Sequence, residues 1–111
     1  MLYNDIAELL QEIGLPYGYR AFEPEDAPAG PPFICYLLAS GRPEPADNKN
    51  SVTLETLTLE LYTDQKDPEL EKQVESVLTA RGLVFTREET WIESEKMQET
   101  VYTMEVVNNG K

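Results

Sequence analysis

The chain contains no histidine. That removes the commonest general base and the commonest metal ligand together, and it makes a Ser-His or Cys-His nucleophile impossible. Cysteine occurs once, as Cys35, so no internal disulfide can form. Cys35 lies in the apolar run "FICYLL" with no cationic neighbour to stabilise a thiolate, and is expected to be a small buried hydrophobe. No stretch approaches the roughly 18 apolar residues of a membrane-spanning helix. Asp5 and Glu8 stand where a secretory leader would be basic and then apolar, so a soluble, unexported chain is expected. The six glycines fall singly, at 14, 18, 30, 41, 82 and 110, and assemble neither a phosphate loop nor a dinucleotide fingerprint. No cofactor is expected.

Basic residues are also scarce. Nine Lys and Arg against 21 Asp and Glu leave a formal charge of −12, which repels a phosphate backbone and disfavours direct nucleic-acid binding. The carboxylates are spread through every segment rather than paired along one surface, and read first as a solvated acidic exterior. "EPED", "REE" and "IESE" are the local acidic clusters, but alternation along a strand sends Glu88 and Glu89 to opposite faces, so they do not share a site. "TDQKD" lacks the glycine and terminal glutamate of a calcium loop, and no metal is expected. The aromatics Tyr17, Tyr19, Phe22, Phe33 and Tyr36 have only Arg20 near them, so core and interface roles are preferred over base stacking.

What is present is a pattern of elements. In 111 residues with 41% hydrophobic content there is room for one core, and residues 1–111 read as a single α+β domain. In "YNDIAELLQEI", Ile6, Leu9, Leu10 and Ile13 share one helical face, ended by Gly14 and Pro16. "YGYRAF" reads as a short strand and "EPEDAPAGPP" as a loop. "FICYLLAS", at 33–40, is continuously apolar, which predicts a strand covered on both faces at the centre of the sheet. A second loop is expected over 41–51. The two Pro-rich stretches, 23–32 and 41–50, are expected to be mobile in a free subunit, with at least one ordering on assembly.

In "VTLETLTLELYT", at 52–63, the apolar alternation changes phase between Leu54 and Leu57, which predicts a β-bulge or bend near Glu55 and Thr56. A helix follows at once: Asp67 is a good N-cap, Pro68 suits the first helical position, Glu69 and Glu71 lie in the first turn, and Gly82 ends it. Leu70, Val74, Val77 and Leu78 form its apolar face. "LVFTREETWIES" and "KMQETVYTMEVVNN" then read as an antiparallel hairpin. Neither face of that hairpin is cleanly polar, as expected if part of it is covered by a partner. Trp91 is expected to lie against the sheet or that partner. The predicted fold is a mixed, mainly antiparallel sheet with two helices in the order α-β-β-β-α-β-β.

The strand-to-helix string "ELYTDQKDPELE" at 60–71, "ADNKN" at 46–50 and the hairpin "WIESEKMQETVYTMEV" at 91–106 resemble a small protein family in prophages of Gram-positive bacteria. The order of elements resembles the tail terminator and head-tail joining proteins of long-tailed phages. The resemblance implies a non-enzymatic virion protein of the tail or neck, assembled in the host cytoplasm. Its subunits would form a homo-oligomer, a hexameric ring capping the tail tube and facing the head connector, through which DNA may pass without being specifically bound. It makes Asp47, Asn48, Lys49, Trp91, Glu93 and Glu95 the candidate interaction residues. A neck or stopper protein is the alternative within the same biology. An acidic inhibitor or DNA mimic, and a small hydrolase with a carboxylate site, are the alternatives outside it.

Overall fold

The computed structural model of the chain describes residues 5–22, 27–43 and 53–108, without the side chains of 40–43 and 108. Helix α1 (Ile6–Ile13) presents Ile6, Leu9 and Leu10 to the core and ends on Gly14, whose φ of 86° only glycine adopts without strain. Strands β1 (Tyr17–Tyr19), β2 (Phe33–Pro43) and β3 (Thr53–Thr63) follow, then α2 (Pro68–Ala80), β4 (Phe85–Ile92) and β5 (Met97–Asn108). This is the expected α+β order. The five strands form one sheet in the order β1-β2-β3-β5-β4, with β1 parallel to β2 and every other pair antiparallel.

Both ends of α2 are held as their residues predict. Asp67 accepts a hydrogen bond from the Leu70 N–H at 3.1 Å, and Pro68 occupies the first turn, where its missing N–H has no intrahelical use. At the other end the N–H of Leu83 reaches the carbonyl of Leu78, and that of Gly82 the carbonyl of Thr79. These two bonds satisfy the carbonyls of Leu78 and Thr79 and lead the chain into β4, while the Leu83 side chain is buried at the exit.

Alternation along β3 sorts the sheet into two faces. Leu57, Leu59 and Leu61 join Ile34, Tyr102, Met104 and Val106 against α1 and α2, with Val74 and Leu78 packed over them. The opposite face carries Phe33, Cys35, Leu37, Leu54, Val101 and Val107, none of which belongs to that core. Cys35 is buried there, its thiol pushed up by burial and further by the neighbouring Glu60 and Glu99, as befits an inert structural group.

Three expectations are corrected. Strand β2 is interior but not central: β3 occupies the middle, and the continuous apolar run of β2 serves two different faces, only one of them under the helices. Strand β2 also runs on to Pro43, so 41–43 are ladder rather than loop, while 23–26 and 44–50 lie outside the described residues. Finally, β3 has no bulge. It pairs with β5 without a shift from Thr53 to Thr63, and the extra residue lies in β2, between Ala39 and Arg42, opposite the expected place. A bulge in β3 would break ladders on both sides, whereas β2 has no β1 partner beyond Tyr36 and loses only one. Leu54 stands opposite Val107 on the face away from the helices, so the phase change moves an apolar side chain, not the backbone.

Candidate interaction surface

The β4–β5 hairpin brings together three of the residues singled out from sequence. Its turn, Glu93–Lys96, is closed by backbone bonds from Glu95 N–H to Ile92 and from Lys96 N–H to Glu93. Lys96 takes a positive φ of 53° to complete the reversal. The Trp91 indole N–H donates to Glu93 at 3.1 Å, and Lys96 forms an ion pair with the same carboxylate. Those two contacts hold the Glu93 carboxyl below its ordinary range, Lys96 contributing more than Trp91. Glu95 is exposed in the same turn. Trp91 lies in the predicted hairpin with 47% of it exposed. On β4 it stands opposite the buried Gln98. Asp47, Asn48 and Lys49 lie outside the described residues.

Beside the hairpin lies an ionic network that sequence reasoning passed over. Glu71 is buried to 3% exposure, and its Oε1 accepts from Lys66 Nζ at 2.9 Å and from Arg87 Nη2. Its Oε2 accepts no hydrogen bond among the described residues. Arg87 also lies 3.5 Å from Glu75 and 3.1 Å from Glu89, and Glu89 receives Lys66 at 2.6 Å and Gln98 at 3.0 Å. The bond from Lys66 is the main reason the Glu89 carboxyl stays below its usual range. Tyr102, buried in the core, reaches the same network by donating to Glu75 at 2.8 Å. The network thus ties the start of α2 to β4 and β5. The signal was in the sequence: Glu71 precedes Val74 by three residues and Leu78 by seven, which puts it on the buried stripe.

On the open sheet face the single Tyr62 hydroxyl proton is shared between Glu60, at 3.1 Å, and Glu99, at 2.9 Å, and the ring stacks on Phe33 with centroids 5.1 Å apart. Burial pushes the Glu60 carboxyl up, the bond from Tyr62 draws it back and Glu99 raises it again. The folded state therefore holds this proton more tightly than the unfolded chain, and stability from this group falls as pH rises through the raised value. Glu60→Gln is expected to raise the melting temperature at neutral pH and to match the parent at acid pH. Thermal denaturation across pH tests this; equal gains at both ends would show that the charge is not responsible.

Among the described residues no three His, Cys, Asp or Glu side chains converge as metal ligands, and no helix is long and apolar enough to cross a membrane. The remaining features among the described residues are a half-exposed tryptophan at a hairpin end, a strand edge without a neighbour, and a sheet face bearing apolar side chains outside the core. Compared with known proteins, the chain matches no protein-family model and no curated protein.

Proposed function

We propose that the chain is a non-enzymatic virion protein, a tail terminator or tail-completion subunit at the head-tail interface, acting by ring assembly. The observation that carries this reading is the asymmetry of the fold. Both helices cover one face of the sheet, leaving apolar side chains on the other, while a half-exposed Trp91 marks the hairpin end. A ring requires two different surfaces on each subunit, one meeting the other on its neighbour. The hairpin end and the open sheet face are two such surfaces. The acidic composition suits a channel that DNA traverses, because a basic lumen would bind phosphates and slow passage.

Trp91 supplies its own readout. Ring formation is expected to shift its emission to shorter wavelength as the indole leaves water, and Trp91→Ser is expected to stay folded by circular dichroism yet remain unassembled. A parent protein that stays small at high concentration and high salt, and also on incubation with tail tubes, would sink the proposal in favour of an inhibitor.

A further inference from the structure

Among the described residues strand β4 has a neighbour on one side only, and its sequence mirrors itself. Counting outward from Glu88, Arg87 answers Glu89, Thr86 answers Thr90, Phe85 answers Trp91, and Val84, one residue before the strand, answers Ile92. Val84 is 89% exposed and Trp91 47%, two of the three exposed large hydrophobic residues among those described. Charges on an edge strand ordinarily deter pairing with another chain. Here they are arranged to attract.

We infer that β4 pairs antiparallel with β4 of a second copy of this chain, about a two-fold axis at Glu88. Such an axis stands normal to the sheet and keeps each face on its own side, so only residues of equal parity can lie opposite one another and the axis must pass at a residue. With the axis at Glu88, the helix-bearing face sets Phe85 opposite the partner's Trp91 and Arg87 opposite the partner's Glu89, each twice. The open face sets Thr86 opposite the partner's Thr90 and Val84 opposite the partner's Ile92. Each of these is a favourable cross-strand pair. Moving the axis to Arg87 would oppose two arginines and put Phe85 against a glutamate. Moving it to Glu89 would put Phe85 against Glu93. Only Glu88 itself meets its own charge at the chosen axis, so the pair is self-limiting and tightens with salt or on protonation. Because it uses Trp91, it excludes any ring contact through that residue and holds the free chain in reserve.

Cysteine substitution on the edge tests the axis directly. Opposed residues of an antiparallel pair have Cβ atoms about 4.5–5.5 Å apart, close enough for a disulfide after slight adjustment, whereas residues offset along the strand are not. Glu88→Cys is expected to give a covalent dimer under mild oxidation. Thr86→Cys and Thr90→Cys, each alone, are expected to stay monomeric on a non-reducing gel and to cross-link when mixed. The parent, with Cys35 alone, is the control. In sedimentation equilibrium Glu88→Thr is expected to tighten the dimer about threefold to tenfold, and Trp91→Ser to weaken it at least about tenfold. Cross-linking of Glu88→Cys no faster than of Thr86→Cys, or a dimer indifferent to Trp91→Ser, would overturn the inference. Failure of Glu88→Cys to cross-link while the parent still forms rings would refute this pairing alone, and failure of the uncross-linked parent to form rings on tail tubes would refute only the assembly reading.

Discussion

Replacing Arg87 by methionine is expected to cost about 2 kcal/mol, read as a fall of about 10 °C in melting temperature. The cost arises at Glu71, not at the surface. Glu71 is 3% exposed, one of its oxygens accepts nothing among the described residues, and the other leans on Lys66 and Arg87. Removing one partner from a buried carboxylate leaves a charge without compensation, which costs far more than losing an exposed ion pair. The figure is kept below the usual range for a fully buried pair because Lys66 remains and a third of Arg87 reaches solvent. The double substitution Arg87→Met with Glu71→Met is expected to recover most of the loss, since two apolar side chains of similar length then fill the space beneath α2. Urea denaturation of the two single variants and the double variant completes the cycle. A harmless Arg87→Met would mean that the buried carboxylate is not held by the guanidinium.

The second large effect concerns association. Every copy added to an assembly brings a formal charge of −12 into a volume a few tens of ångströms across. The Debye length falls from about 30 Å at 0.01 M salt to about 10 Å at 0.1 M, so repulsion between subunits weakens sharply over that range while apolar contacts change little. Sedimentation velocity across this salt series is expected to show a mainly monomeric chain at the low end and larger species at the high end, with the apparent association constant rising more than about tenfold. Association that is strongest at low salt would mean that attraction between opposite charges governs it, and would remove the proposed role of the acidic surface.

Helix ends were legible because their chemistry is local. Gly14, Asp67, Pro68 and Gly82 each act on bonds within a few residues, and each stands where its type predicts. Strand order was not legible, since β5 enters between β3 and β4 through contacts that no neighbouring residues encode. The bulge misled for a related reason: a change of phase in β3 records which face its leucines use, while the extra residue lies in the partner strand, where it disturbs least. Alternation places Trp91 in the hairpin but does not give its exposure, which depends on tertiary packing. Glu71 reads from sequence as a helix-dipole residue although its spacing also places it on the buried stripe, and the approach of Lys66 and of Arg87 from β4 explains how that position tolerates a carboxylate.

The unbroken ladder between β3 and β5 has a bearing on how the protein is made. Along one edge residues 53–63 pair with β2 and along the other only with 98–108, and among the described residues β4 touches the sheet through β5 alone. While the ribosome is still adding the last strand, the nascent chain holds β3 with one side unpaired and β4 with no sheet to join. Contacts of such long sequence separation close late, so the hairpin joins the sheet only once β5 has been made. A product that stops before β5 therefore lacks the β4–β5 hairpin.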